Sequence, residues 1–476
     1  MHIMGLEKSS RSREGSFWPF METLAVRTSI VRFLSPERIF IFSFVALILA
    51  GTFLLWLPFS ASRGPLSFID ALFTSTSAVC VTGLVTLDLG QDLSIPGQVV
   101  TLFLFQIGGL GIITFSTVFF VLMGRGISFK GREIVQSTFL HTPRRDFLVI
   151  LKSVLWFTLI FEVLGTLLLY VAFSRDYSPP RAFYHALYNA VSAFNNCGYS
   201  LFSDSLMAYQ GDWIVNFTVI GLLVCGGIGF VVQFEVFSCL RRRQKRLSLH
   251  AKIALVATAV LLLGGAVLFY LFERDFILRD APLGNQILAS IFQSASPRTC
   301  GYNTVDIGAL TNPAILLIMI LMFIGASPGS TGGGVKTTSA AIIFLLVWNR
   351  FRGREEVNVC SRTIPKEIIT RTIFIIFASA VSVSLITSIL LLTTGDYLPP
   401  FQSRHLFVEY LFESISAFAT VGLSMNLTPK LNDFQKVAVT VLMFAGRVGP
   451  LTLAFSLSRR ALKKTLTYAE EGIMVG

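Results

Sequence analysis

Apolar residues in this chain come in long, nearly unbroken runs separated by short polar and basic stretches. About 20 apolar residues suffice for a helix to cross the hydrocarbon core of a bilayer. Eight runs meet that length: roughly Ile39 to Phe59, Gln98 to Met123, Phe147 to Phe173, Trp213 to Leu240, Ala251 to Phe272, Asn312 to Trp348, Ile368 to Leu392 and Phe434 to Leu457. Each predicts a membrane-spanning helix. Within each successive pair of spans lies a further apolar segment, too short to cross and ending at a glycine.

Those four short segments share a wording. The first ends Ser77-Ala78-Val79-Cys80-Val81-Thr82-Gly83-Leu84, and the second Ser192-Ala193-Phe194-Asn195-Asn196-Cys197-Gly198-Tyr199. The third ends Ala295-Ser296-Pro297-Arg298-Thr299-Cys300-Gly301-Tyr302, and the fourth Ser416-Ala417-Phe418-Ala419-Thr420-Val421-Gly422-Leu423. A second glycine signature follows inside each even-numbered span: Gly108-Gly109-Leu110-Gly111, Gly226-Gly227-Ile228-Gly229, Gly325-Ala326-Ser327-Pro328 and Gly446-Arg447-Val448-Gly449. The offsets between the two glycines are 25, 28, 24 and 24 residues. Two motifs recurring four times at nearly fixed separation make an internal repeat of span, short helix, glycine turn and span.

Irregular backbone at membrane depth is tolerated only where protein buries it or a watery cavity meets it. Four such turns in one chain therefore predict a common axis. Glycine opens backbone angles closed to other residues, so successive carbonyls can point inward and replace the water shell of a cation. The expected ligands are the backbones of Val81, Thr82, Gly83, Asn196, Cys197, Gly198, Thr299, Cys300, Gly301, Thr420, Val421 and Gly422. Thr420-Val421-Gly422-Leu423 and Thr299-Cys300-Gly301-Tyr302 approach the Thr-Val-Gly-Tyr-Gly filter of potassium channels, and the other two copies are looser. Leu84, Tyr199, Tyr302 and Leu423 are expected to pack outward and brace the turns. Asp88, Asp204 and Asp306 follow the first three turns, either as negative charge at an outer mouth or as caps of the next span.

The sixth span runs well beyond membrane length and contains Gly325-Ala326-Ser327-Pro328-Gly329-Ser330-Thr331-Gly332-Gly333-Gly334-Val335-Lys336-Thr337-Thr338. Proline and this density of glycine cannot hold a continuous helix. Two half-helices joined by a loop beneath the turns are expected. The loop is not a phosphate-binding loop, because Val335 separates Gly334 from Lys336 and no strand precedes it. Arg447 lies mid-span in the eighth helix, where a charge is costly and usually functional. It is expected to face the interior and hydrogen-bond carbonyls of that loop; the alternative is a cap on broken-helix carbonyls. Arg298 and Glu413 are expected to pair behind the turns, while Glu162 and Lys152 in the third span, ten residues apart, are left open, with snorkelling to the cytoplasmic surface available to Lys152.

Composition agrees with this picture: 53% of the 476 residues are hydrophobic, 14% are charged and mean hydropathy is +0.69, too apolar for an ordinary soluble protein. The net charge of +12 raises the question of nucleic acid, but position answers it. Of the 39 Lys and Arg, 28 fall in five segments: the first 38 residues, Arg125 to Lys152, Arg241 to Lys252, Arg350 to Arg371 and Arg459 to Lys464. One segment precedes the first span and one follows each even-numbered span. That asymmetry predicts both termini in the cytoplasm. No cleavable signal peptide is read at the N-terminus. The six cysteines show no ligand spacing and are expected to be free thiols. The five His, His2, His141, His185, His250 and His405, are read as scattered through termini and loops, and no catalytic constellation is found, so no enzyme is expected.

From about Ile39 onward the chain resembles the superfamily of potassium transporters that includes Trk, Ktr and the plant high-affinity transporters (HKT), most like the KtrB-type membrane subunit. The four turn glycines, the Gly325 to Thr338 stretch and Gly446-Arg447-Val448-Gly449-Pro450 carry that resemblance. It implies an all-α membrane protein of four pseudo-repeats, each a helix, a re-entrant pore loop and a helix, arranged around one central pore with eight transmembrane helices. The units expected are a cytoplasmic segment 1–38, repeats at 39–124, 147–240, 251–348 and 366–458, and a cytoplasmic tail 459–476. The resemblance further implies potassium uptake across a bacterial cytoplasmic membrane, with no covalently bound cofactor and with sodium coupling left open. Its implied gate comprises Gly325, Ser327, Pro328, Gly329, Ser330, Thr331, Gly332, Gly333, Gly334, Lys336 and Arg447. Gly83 favours potassium, since serine there goes with sodium in that superfamily. Its implied partners are the lipid bilayer, a second copy of the chain and a cytoplasmic nucleotide-binding regulatory subunit, with no nucleic acid. Three other readings stand beside this one: a sodium-permeable or poorly selective relative, a secondary transporter of a small solute, and a scaffold whose glycines only pack helices.

Overall fold

The structure, a computed structural model, describes residues 36–122, 144–242, 246–394 and 399–450 together with residue 452. The segment up to residue 35, the basic stretch 125–143 and the tail 459–476 lie outside the described residues. Fourteen α-helices occur among the described residues, with one two-residue hairpin, β1 (Asn358–Val359) paired antiparallel with β2 (Arg362–Thr363). Four lead into the glycine turns: α2 (Phe68–Val79), α5 (Pro179–Phe194), α9 (Leu283–Ala295) and α13 (Pro400–Ala419), the last of them 20 residues long where a short helix was expected. The others flank them: α1 (Pro36–Trp56), α3 (Ile95–Leu122), α4 (Arg144–Phe173), α6 (Trp213–Ile228), α7 (Phe230–Leu240), α8 (Leu249–Glu273), α10 (Asn312–Phe323), α11 (Thr337–Phe351), α12 (Lys366–Leu392) and α14 (Asp433–Val448). The order is the predicted one, repeated four times: span, short helix, turn, span.

Helix starts follow local chemistry. Ser67 accepts the amide of Asp70, Asp212 those of Ile214 and Val215, and Ser248 that of Ala251, so each satisfies donors the first turn leaves free. Asn432 and Gln435 form a reciprocal capping box on α14. The caps of the following spans are therefore not the aspartates the sequence suggested. Asp88 accepts the amides of Gly90 and Gln91, and Asp306 that of Gly308 in a single 3-10 turn; Asp204 is exposed.

The spans are apolar on both faces, but the outward face stays bare. On α4 Trp156, Leu159, Ile160, Val163, Leu164, Leu167 and Val171 form an exposed stripe, and Leu49, Phe53 and Trp56 do so on α1. Surfaces of this extent do not face water. A bilayer is the solvent that suits them. The segment Lys152–Phe173, α8 and α12 are each long and apolar enough to cross a membrane alone, and α6 with α7 reaches that length and apolarity only when the pair, bent by 101°, is taken together.

That bend departs from the sequence reading, which ran one span from Trp213 to Leu240. Gly229 breaks it at φ 100°, and Gly449 at φ 87° ends α14 where an unbroken span to Leu457 was expected. Both are the last glycine of their repeat's signature. A third glycine of the repeat escaped the sequence reading altogether: Gly51, Gly165 and Gly265 lie where an added Cβ would press on Leu104, Leu222 and Leu321, each four residues before the helix glycine. These positions let the two spans of a repeat meet closely.

Candidate functional site

Each short helix ends in the same backbone figure. Val81, Asn196, Thr299 and Thr420 take positive φ of 56°, 59°, 75° and 50°, and two residues later Gly83, Gly198, Gly301 and Gly422 take 90°, 78°, 84° and 96°. Three of the four non-glycine residues are β-branched, for which this region is a true outlier. Strain repeated at four equivalent points marks a site held in place by its surroundings. Helix-end carbonyls hold the turn: Ser77, Ser192 and Ser416 accept the amides of Thr82, Cys197 and Val421 at 2.7, 2.9 and 2.9 Å, and Ser296 accepts that of Cys300 at 2.9 Å. Ser77 and Ser416 hydroxyls also accept the amides of Gly83 and Gly422, at 3.1 Å each.

The four turns meet. A Cβ on Gly83 would overlap the Cys197 carbonyl, one on Gly198 the Cys300 carbonyl, one on Gly301 the Val421 carbonyl and one on Gly422 the Thr82 carbonyl. Read in order, these contacts close a ring through all four quarters of the chain. Only glycine fits at each point, for reasons of both φ and space.

The residue after each glycine braces the ring from outside. Leu84, Tyr199, Tyr302 and Leu423 are buried. The Tyr199 hydroxyl donates to Thr74 O at 3.1 Å on α2, and the Tyr302 hydroxyl donates to Tyr199 O at 2.9 Å and Asn189 Oδ1 at 3.0 Å. Each tyrosine thus clamps the preceding repeat.

The second glycine signature packs under the short helices. Gly108, Gly226 and Gly446 sit against the carbonyls of Val79, Phe194 and Phe418, each four residues before its turn glycine. In the third repeat Pro297 holds that place and Gly325 instead packs against Gly333 of its own loop. There the chain leaves helix between Phe323 and Thr337, as the proline and glycines predicted.

That loop is fastened at several points. The Ser327 amide donates to Gly227 O at 3.0 Å, the Thr331 amide to Gly226 O at 3.3 Å, and the Phe230 amide to Gly329 O at 2.9 Å. Ser327 and Thr337 hydroxyls meet at 2.8 Å, and Ser330 Oγ donates to Ser327 O at 2.6 Å. Lys336 Nζ donates to Gly332 O at 2.8 Å, folding back over the loop. Arg447 donates through Nη1 to Thr331 O and through Nη2 to Gly108 O at 2.7 Å, the loop contact expected of it. Gly332 and Gly333 press against the Thr299 and Thr420 side chains, so the loop lies directly against the start of turns three and four.

Two expectations fail. Arg298 and Glu413 do not pair: Arg298 reaches Thr258 Oγ1 at 3.1 Å on α8, whereas Glu413 accepts from Ser424 at 2.9 Å and from Thr428. Each buried charge found hydroxyls nearer than the opposite charge. The histidines are not confined to termini and loops either. His185 is buried in α5, stacked on Phe202 with centroids 4.9 Å apart, and His250 and His405 lie in α8 and α13.

Fold and site together define a multi-pass α-helical membrane transport protein whose four repeats converge on one ring of glycine turns. The chain belongs to the TrkH family, described as cation transport proteins, whose profile matches residues 26–462. Ktr system potassium uptake protein B of Vibrio alginolyticus is 38% identical over 441 residues, 92% of this chain and 94% of its own length. Potassium/sodium uptake protein NtpJ of Enterococcus hirae is 36% identical over 449 residues, covering 93% and 98%. The crystal structure of the potassium transporter TrkH from Vibrio parahaemolyticus matches with a TM-score of 0.66 at 20% identity, over 88% of this chain and 83% of that one, a likeness of fold.

Proposed function

We propose that this chain is the pore-forming subunit of a bacterial potassium-uptake system. Potassium would pass through the ring of turns, coordinated by backbone oxygens of Val81, Thr82 and Gly83, of Asn196, Cys197 and Gly198, of Thr299, Cys300 and Gly301, and of Thr420, Val421 and Gly422. The observation that carries this reading is the closed circuit of contacts between Gly83, Gly198, Gly301 and Gly422. Four strained turns packed edge to edge at membrane depth serve a scaffold poorly and a desolvated cation well.

The loop from Gly325 to Lys336 is the gate in this reading. It lies against turns three and four, and Arg447 holds it there while placing a positive charge in the ion's path. Movement of the loop would open the path, with the membrane potential and ion gradient as driving force and no covalent chemistry. The units proposed are cytoplasmic residues 1–38, repeats 39–124, 147–240, 251–348 and 366–458, and a cytoplasmic tail 459–476. Placement of both termini in the cytoplasm rests on the basic segments. A homodimer with a cytoplasmic nucleotide-binding regulatory subunit completes the proposal, on the strength of the family resemblance.

A sodium-permeable variant of the same mechanism is the second reading. It is favoured by the second turn, where Asn196 stands in place of threonine, and by the relative named for potassium and sodium uptake. The test is rescue of a potassium-uptake-deficient bacterium on low-potassium medium, with and without a co-expressed regulatory subunit, together with rubidium and sodium flux into proteoliposomes. Rescue with rubidium flux exceeding sodium flux supports the first reading. Absence of any cation flux from folded protein overturns both.

A further inference from the structure

The residue three before each turn glycine lies at the end of the short helix or within three residues beyond it, and in two repeats it carries a polar arm aimed back at a span. These residues are Cys80, Asn195, Arg298 and Ala419. Arg298 reaches Thr258 on α8. Asn195 reaches further: its Nδ2 donates to Gln106 Oε1 on α3 at 2.5 Å, to Val191 O at 2.9 Å and to Glu162 Oε1 on α4 at 3.3 Å. Its Oδ1 lies against Gly109. Asn195 is itself fully buried, and the next residue, Asn196, begins the turn that departs furthest from the other copies.

Glu162 is a carboxylate in the middle of an apolar span, and no Lys or Arg pairs with it among the described residues. An acidic residue at that depth is kept only where it does something. Here it accepts from the side chain that fixes the base of turn two. Three elements from two repeats converge on that one amide: α3 through Gln106, α4 through Glu162 and α5 through Val191. The span that supplies Glu162 also carries Gly165, where an added Cβ would press on Leu222, so α4 runs close against α6 at this level.

We infer that Glu162, with Gln106, is a positioning residue that sets discrimination between potassium and sodium by fixing Asn195 and through it the second turn. This rests on the reading of the turns as an ion filter. Position, and not charge, is the device: a glutamine at 162 keeps the acceptor oxygen that shares the two hydrogens of Asn195 Nδ2 with Gln106 and Val191, and an alanine removes it. A turn released at its base can contract around the smaller ion, so selectivity falls before conduction does.

The experiment is rubidium and sodium flux in proteoliposomes for the full-length protein and its Glu162→Gln, Glu162→Ala and Asn195→Ala forms, each checked for yield and monodispersity. The expected result is a rubidium-to-sodium ratio within twofold of the parent for Glu162→Gln, and at least fivefold lower for Glu162→Ala and Asn195→Ala with total flux retained. An unchanged ratio in Glu162→Ala overturns the inference, as does a Glu162→Gln ratio that falls as far as the alanine form. Should a monodisperse parent carry no cation current at all, the filter reading fails first, which separates the two failures. If Glu162→Ala does not fold, Gln106→Ala makes the same test from the other acceptor.

Discussion

Lys436 Nζ lies 2.7 Å from Asp70 Oδ1, joining α14 to the first turn of α2 although 366 residues separate them. Asp70 sits where a helix N-terminus favours negative charge, and the two side chains are only 17% and 13% exposed. The pair closes the ring of repeats at the one seam no covalent connection crosses. Lys436→Met should therefore loosen the first repeat against the last. A double-mutant cycle with Asp70→Asn, read by thermal unfolding in detergent, should give a coupling of about 1 kcal/mol. Independent effects of the two substitutions would remove the pair from any role in closure.

Arg447 ties three parts of the chain together, since it lies on α14 and donates to Thr331 of the loop and Gly108 of α3. A hydrogen bond from a charged group contributes roughly 1.5–3 kcal/mol net. Arg447→Gln should relax the loop's hold and raise rubidium flux on the order of tenfold in the absence of any regulatory subunit, a factor that needs only about 1.4 kcal/mol of differential stability. Flux equal to that of the parent in well-folded protein would show that the arginine is a structural cap.

Gly301 cannot accept a side chain, because its φ is 84° and a Cβ would enter the Val421 carbonyl. Gly301→Ala is expected to abolish rubidium-selective flux. Gly264, on the lipid side of α8 with nothing within 4 Å of an added Cβ, is the matched control and should tolerate alanine. Equal flux from the two variants would mean that the turn does not line the path.

Tyr302 joins turns three and two through its hydroxyl, which donates to Tyr199 O and to Asn189 Oδ1. Tyr302→Phe strands both buried acceptors. The expected loss is about 1–3 kcal/mol, measured as a lowered unfolding temperature and as reduced discrimination against sodium. Unaltered stability would imply that water replaces the hydroxyl at that point.

Much of this architecture was legible before any coordinates. Hydrophobic run length and glycine spacing are one-dimensional signals, and they marked the four turns and the broken sixth span, while the cost of a charge in an apolar helix pointed Arg447 at that loop. That the four turns share an axis followed from the need to bury irregular backbone, whereas the circuit of contacts through Gly83, Gly198, Gly301 and Gly422 is visible only in space. What escaped were relations between repeats. The Arg298–Glu413 pair was inferred from charge alone, yet hydroxyls of Thr258, Ser424 and Thr428 lay closer in space. The break at Gly229 was hidden because the Gly226 to Gly229 signature sits in an otherwise helical run, and docking of the loop against α6 and α7 shows why helix stops there; at Gly449 the signal was present, since Pro450 follows it, and the run of apolar residues to Leu457 masked it. Gly51, Gly165 and Gly265 carry no neighbouring motif, so only their matched contacts identify them as a set.

Gly332 separates two accounts of the loop. A Cβ there would strike Thr299 on turn three and Ala326 within the loop itself, so alanine cannot be accommodated while the loop lies against the turns. The nearest relief is displacement of the loop away from Thr299, which also draws Thr331 O from Arg447. Overpacking of this kind costs about 1–3 kcal/mol, and here it burdens the closed arrangement alone. Gly332→Ala should accordingly raise basal rubidium flux, in the same direction as Arg447→Gln, and the double variant should gain less than the product of the two. A loop that merely fills space predicts the reverse: flux falling, or lost, in Gly332→Ala protein that remains folded, with the Arg447→Gln effect unaltered by its presence.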